Sequence, residues 1–132
     1  YNAARLIELW SRHSPVSEGG PTFSSELDRL APPLPTTGEV KVPCPEERKL
    51  EVVAAITEAF EDMECSTVDG VRVRFNNEDD EYVGWYLARK SNTEPVLVMR
   101  IEATDEKQLT EIRTIVANRV AGMLDIAQLM NA

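Results

Sequence analysis

Seven consecutive residues, Arg89-Lys90-Ser91-Asn92-Thr93-Glu94-Pro95, carry the groups with which a protein grips a tetrahedral oxyanion. The Arg89 guanidinium is a planar fork for two oxygens, Ser91 and Thr93 bring small hydroxyl donors, Asn92 an amide and Lys90 an ammonium. A concave turn adds backbone N–H groups to that set. The segment joins two apolar runs, where a plain hairpin would use Gly or Asn-Gly. Pro95 fixes the exit of the turn and holds Glu94 extended. The bland alternative is a polar turn that happens to be basic, because Ser, Asn and Thr are ordinary turn residues.

Other polar groups read more plainly. His13 is the one histidine. It sits beside Pro15 at the end of a helical stretch, where the helix dipole favours it, so no catalytic triad and no catalytic residue is expected. Cys44 and Cys65 have no Cys-x-x-Cys partner and no second histidine, so no metal site is expected and two free thiols of a reducing cytoplasm are. Around Glu78-Asp79-Asp80-Glu81, Asn77, Asp79 and Glu81 fall at alternate positions as in a cation loop, but the central glycine and the closing bidentate Glu of a calcium loop are missing. That run is a solvated hairpin tip. Arg72 and Arg74 sit on the outer face of a strand, where exposed ion pairs are common and weak.

The elements that must hold the basic segment follow from periodicity. Ala3, Leu6, Ile7 and Trp10 mark one face of a helix over 2–13, stopped at Ser14-Pro15. Ser24 and Ser25 can cap a short turn through Leu30. Pro32, Pro33 and Pro35 stiffen a linker over 32–38, and a domain boundary falls there. Glu39–Val42 alternates as a strand, and Pro45-Glu46-Glu47 starts a helix whose buried stripe is Leu50, Val53, Ile56/Thr57, Phe60 and Met63. Asp69-Gly70 turns the chain into Val71–Phe75, which alternates strictly. Asn76–Glu81 is a hairpin loop, Tyr82–Arg89 pairs back, and Val96–Ala103 is a further strand. Thr104 or Asp105 caps a last helix with Leu109, Ile112, Val116, Val120 and Met123 on one face. The result is an α+β domain: a mostly antiparallel four-stranded sheet with two main helices on one face.

Composition sets outer limits. The chain has 132 residues, 42% apolar and 28% charged, a soluble globular balance for one domain of ordinary size with a remnant beside it. The formal net charge of −9 argues against nucleic acid and anionic membranes as partners. No apolar run approaches the roughly 18 residues of a membrane span. Tyr1 opens directly on a helical pattern, so the chain is expected to be a piece of a longer one. Residues 45–132 hold ten basic and eighteen acidic residues, so Arg89-Lys90 is a basic island in an acidic domain.

The string RKSNTEPVLVMRIEA resembles the phosphate-binding loop and following strand of the C-terminal domain of the alpha-D-phosphohexomutases, the phosphomannomutase/phosphoglucomutase family. Its pattern is Arg-x-Ser-Asn/Gly-Thr-Glu-Pro, and every fixed position is met; Lys90 stands where Pro is usual. Thr37-Gly38-Glu39 and Asp69-Gly70-Val71-Arg72-Val73 add to the likeness, which covers about residues 36–121. The resemblance implies a fold like that of the TATA-box-binding protein. It also implies residues 1–31 as a helical tail of a preceding domain, 32–38 as a hinge and 39–132 as the C-terminal domain. Arg89, Ser91, Asn92 and Thr93 would contact the substrate phosphate, with Lys90 in addition, while Glu94 and Pro95 shape the loop. Asn92 is more typical of the mannose and glucose mutases than of the glucosamine ones. Enzymes of this kind interconvert sugar 6-phosphates and 1-phosphates through a phosphoserine and a bisphosphate intermediate. The implied partners are a hexose phosphate or bisphosphate and the remaining domains of the same chain.

The resemblance has gaps. This chain holds no Ser-His-Asn-Pro loop, no Asp-Gly-Asp-Gly-Asp loop and no Gly-Glu-x-Ser-Gly loop. Magnesium is therefore expected in a full-length enzyme but not here, and the chain alone is expected to be inactive. The other class of protein with the same loop is a free-standing module that senses an anionic metabolite.

Overall fold

The structure, a computed structural model, describes residues 32–132 together with Ala4, Ile7, Glu8, Thr22, Ser25 and Arg29. The chain divides into two compact units, residues 1–33 and 34–132. In the first, Ala4, Ile7 and Glu8 are helical, as are Ser25 and Arg29. The rest of the expected 2–13 helix, including Leu6 and Trp10, lies outside the described residues, as do His13, Ser14, Pro15, Ser24 and Leu30. Thr22 is the cap of the second helical stretch. Its hydroxyl accepts from the Ser25 amide at 3.1 Å, and the Ser25 hydroxyl donates back to the Thr22 carbonyl at 2.9 Å. Ser25, expected as a cap, is therefore the residue that is capped.

The second unit is an antiparallel sheet with helices packed on one face. Its strands are β1 (Val40–Pro43), β2 (Cys65–Ser66), β3 (Val71–Asn76), β4 (Tyr82–Lys90) and β5 (Val96–Ala103), in the order β1-β5-β4-β3-β2. All pairs are antiparallel. The expected sheet had four strands. The fifth, β2, is two residues on the far edge, too short for any period to reveal it. A tight 3-10 turn, Glu46–Arg48, leads into α1 (Lys49–Ala59); α2 is Glu106–Val120 and α3 is Ala127–Met130. The last of these was not expected from the sequence.

Alternation along the strands makes one core. Val71, Val73 and Phe75 on β3, Tyr86 and Ala88 on β4, and Leu97, Met99 and Ile101 on β5 turn to the helices and are buried. Val52, Ile56 and Phe60 meet them from α1, and Leu109, Ile112, Val116 and Val120 from α2. The Phe60 ring lies 5.8 Å from Tyr86 and 6.3 Å from Phe75. A register shift at the start of β4 turns both Val83 and Gly84 inward. A Cβ on Gly84 would lie 2.6 Å from Ile112 Cδ1, so its absence lets α2 press onto the sheet. Asp105 caps α2 by accepting from the Gln108 amide at 2.8 Å.

One expectation needs correction at its first position. Of the expected α1 stripe, Ile56 and Phe60 are buried and Val53 and Met63 pack partly buried against the core, but Leu50 does not join them. Leu50 is 70% exposed, and the buried positions are Lys49, Val52 and Ile56. The helix also ends at Ala59, short of Met63. Part of the segment expected as a stiff linker over 32–38 is fastened to the sheet. Pro35 O accepts from Ala103 N, Ile101 O from Thr37 N, and Thr36 bridges Glu102, so Pro35–Gly38 lies along β5.

The opposite sheet face carries Arg72, Arg74, Trp85, Leu87, Arg89 and Arg100, as the alternation requires. The Arg72 and Arg100 guanidinium carbons lie 4.7 and 5.6 Å from the Trp85 ring centroid, and Arg74 is 5.1 Å from that of Tyr82. The expected ion pairing is loose, with Arg74 and Glu64 3.7 Å apart.

Candidate functional site

The basic segment straddles the end of β4. Arg89 and Lys90 are its last two residues and face opposite sides of the sheet, because neighbouring strand residues must. Arg89 lies on the open face between two carboxylates, 3.4 Å from Glu39 and 3.7 Å from Asp69. Gly70 brings Asp69 there: φ is +76°, and a Cβ would stand 2.2 Å from Ala88 O and 2.7 Å from Arg89 Cα. Only glycine fits that crossing. Lys90 looks the other way into a shallow depression of about 280 Å³ that Leu50, Val53 and Asp69 also line. Its ammonium has no partner among the described residues.

The turn itself, Ser91–Pro95, is closed by Ser91 N donating to Val96 O at 3.1 Å. The Ser91 hydroxyl accepts from the Thr93 amide at 3.3 Å and the Glu94 amide at 3.1 Å, and lies 3.4 Å from the Thr93 hydroxyl. Those two amides, counted in the sequence as donors for an anion, are thus occupied by the loop's own serine. Ser91 shapes the loop and keeps one hydroxyl hydrogen to give outward. Asn92 and Thr93 are exposed at the tip.

Contacts from distant elements hold this turn in place. Lys41 of β1 reaches the Glu94 carboxylate at 2.5 Å. Cys44 N donates to Pro95 O at 2.9 Å. Lys49, 1% exposed at the head of α1, donates to Ser91 O at 2.7 Å and Glu94 O at 2.6 Å, and pairs with Glu46. Lys41 and Lys49 were not singled out from the sequence, and Glu39 and Asp69 only as parts of strings like those of the family, not as partners of this loop. The available signal was the spacing Lys49, Val52, Ile56, Phe60: a charged residue heading the buried stripe.

Burial pushes both the Cys44 and the Cys65 thiols above their usual range, so they stay protonated, and both are free. Neither is an activated nucleophile. The Tyr86 phenol, buried with no partner for its hydroxyl, is pushed up by desolvation in the same way. Among the described residues, no three His, Cys, Asp or Glu side chains converge where a metal ion could be held.

A two-layer α+β domain with a serine-shaped, lysine-backed polar loop at one strand end is the class that the geometry defines. Residues 39–119 match the family described as phosphoglucomutase/phosphomannomutase, C-terminal domain, and the chain belongs to that family. It is 34% identical over 122 residues to a phosphomannomutase/phosphoglucomutase of Pseudomonas aeruginosa, covering 91% of this chain and 24% of that protein. It is 37% identical over 112 residues to a Methanopyrus kandleri protein described as a probable phosphoglucosamine mutase, covering 82% and 22%. A solved phosphoglucomutase/phosphomannomutase family protein from Burkholderia thailandensis superposes with a TM-score of 0.57 at 28% identity, over 91% of this chain and 23% of that one. The chain thus spans about a quarter of the length of the curated relatives it matches.

Proposed function

We propose that this chain is the phosphate-holding C-terminal domain of a cytoplasmic hexose-phosphate mutase. In that reading residues 39–132 form the domain, 1–31 belong to the domain before it, and the intervening stretch is the hinge. The observation that carries it is the Ser91–Pro95 turn, with Arg89 and Lys90 on either side, inside the segment that matches the mutase C-terminal domain.

The chemistry follows from what each group can do. A phosphate dianion competes with Glu39 and Asp69 for the Arg89 fork, since those pairs are long and exposed. Ser91 donates its remaining hydrogen while its lone pairs hold the Thr93 and Glu94 amides. Asn92 and Thr93 complete the set from the tip, and Lys90 adds charge from the other side. The phosphate held in this way is the one not being transferred. The serine and metal loops that transfer the other one belong to other domains, so the isolated chain binds and does not turn over. Closing a domain on the distal phosphate excludes water from the reacting one. Relatives named for mannose/glucose and for glucosamine substrates match at comparable identity, so Asn92 assigns no sugar.

The test is an amide-resolved NMR titration of the chain with glucose 1-phosphate. Amides between Arg89 and Glu94 are expected to move, with dissociation in the millimolar range or weaker, because the rest of the cleft is absent. If none of them moves, the reading fails. Micromolar binding by this chain alone would instead favour a free-standing module for an anionic metabolite.

A further inference from the structure

Lys49 is the one buried charged side chain among the described residues, and its place is a costly one. Desolvating an ammonium is unfavourable, and the first turn of a helix presents a positive dipole end. An ammonium has three hydrogens to give, and three acceptors are present: Ser91 O, Glu94 O and the Glu46 carboxylate. Two of the three belong to the candidate phosphate loop, 42 and 45 positions away in sequence.

The consequence for the loop is one of direction. A trans peptide is planar with its N–H opposite its C=O, and the described chain has no cis bond. Drawing Ser91 O inward onto Lys49 therefore turns the next amide, Asn92 N–H, outward. That amide has no partner among the described residues. Drawing Glu94 O inward likewise removes a second carbonyl dipole from the loop's outer face; the amide beyond it belongs to Pro95 and has no hydrogen. Left to itself, a five-residue turn would present a mixture of carbonyls and amides, and outward carbonyls repel an anion.

We infer that Lys49 is the positioning residue of the phosphate loop: from behind, it withdraws the Ser91 and Glu94 carbonyls and aims the Asn92 amide at the anion. This rests on the phosphate-binding reading above for its ligand but not for its geometry. The lysine acts before any phosphate arrives and never touches it.

The experiment uses the whole chain, wild type and Lys49→Met, which keeps the apolar stem. In the free wild type, hydrogen-bond scalar couplings from Lys49 Nζ to the carbonyl carbons of Ser91 and Glu94 are expected; their absence overturns the inference without any mutation. In Lys49→Met the 91–94 amides should lose order in heteronuclear NOE while the sheet amides keep their shifts. Affinity for glucose 1-phosphate should fall about tenfold or more, with the Asn92 amide no longer the most shifted. A variant that melts earlier yet binds within twofold of wild type, with an unmoved Asn92 amide, shows a structural lysine only and overturns the inference. The two readings fail separately. If wild-type loop amides ignore glucose 1-phosphate, the phosphate reading falls and Lys49 is judged on the couplings and the NOE. If wild type binds and the variant binds equally, only Lys49 falls.

Discussion

The sheet has two polar hairpin turns, Asn76–Glu81 between β3 and β4 and Ser91–Pro95 between β4 and β5, and both use the same local device. In the first, the Asn77 side-chain oxygen accepts from the amides of Asp79 and Glu81 at 3.0 and 2.9 Å. In the second, Ser91 Oγ accepts from Thr93 and Glu94. They differ in what surrounds that knot. The first turn is tied through Asn76 to Asp80 and Asn77 to Glu81, with Arg74 of the adjoining strand donating to Asn76, and it carries four acids in a row. The second is held by β1 through Lys41, by the start of α1 through Lys49 and by Cys44, and is flanked by two cations. A turn that needs only to reverse the chain can be built from its own residues. A turn that must present particular groups at a particular angle is fixed from outside.

The largest effect that distinguishes them is on ligand affinity. Arg89→Ala removes a charge-assisted contact worth about 1.5–3 kcal/mol, roughly ten- to 150-fold in affinity for glucose 1-phosphate. Neutralising the other turn, with Asp79→Asn, should change that affinity by less than about twofold, since the turns lie at opposite ends of β4 and salt screens such distances. Isothermal titration or NMR measures both. Comparable losses in the two variants would mean that net charge and not the loop attracts the ligand.

A second effect reads out stability. Asn77→Ala should cost about 1–2 kcal/mol in urea unfolding, because it removes the acceptor of two amides in a tip that no distant element among the described residues holds. Ser91→Ala removes the same number of bonds but leaves Lys49 and Lys41 in place, so it should cost under about 1 kcal/mol and lower phosphate affinity several-fold. The reverse order of stabilities would mean that the remote ties carry no weight.

The same contrast explains what the sequence could show. Strands were legible, Val71–Phe75 from strict alternation and Val96–Ala103 from its apolar run, and the acidic hairpin tip was identified by composition because local chemistry builds it. The loop's residue types were legible for the same reason, but the strand was expected to end at Arg89, so the opposite facing of Arg89 and Lys90 was not read. What was not legible is non-local. Lys49 was passed over because a search for a buried stripe counts apolar residues, and the lysine's reason for being inside lies more than 40 positions away. That omission put Leu50 at the head of the expected face of α1, where Lys49 stands. β2 and α3, with two and four residues, are too short to carry a period. The attachment of Pro35–Gly38 to β5 was not legible because proline content reports stiffness and not what the stiff segment lies against.

The smallest effect concerns the exposed tie between Lys41 and Glu94, whose side chains are 58% and 47% accessible. Such a pair contributes under about 1 kcal/mol, and less as salt rises. Its effect on the anion should depend on which partner is removed. Lys41→Met leaves a bare carboxylate beside the phosphate and should weaken glucose 1-phosphate binding about two- to threefold at low salt. Glu94→Gln removes the repelling charge and frees a cation, so affinity should hold or rise slightly. Both differences should shrink toward zero by roughly 0.5 M salt, where the Debye length is only a few ångströms. If both variants instead lose affinity equally, and keep that loss at high salt, the pair acts by holding the shape of the turn. The Ser91–Pro95 turn would then be fixed from β1 by geometry, just as the α1 lysine is inferred to fix it from behind.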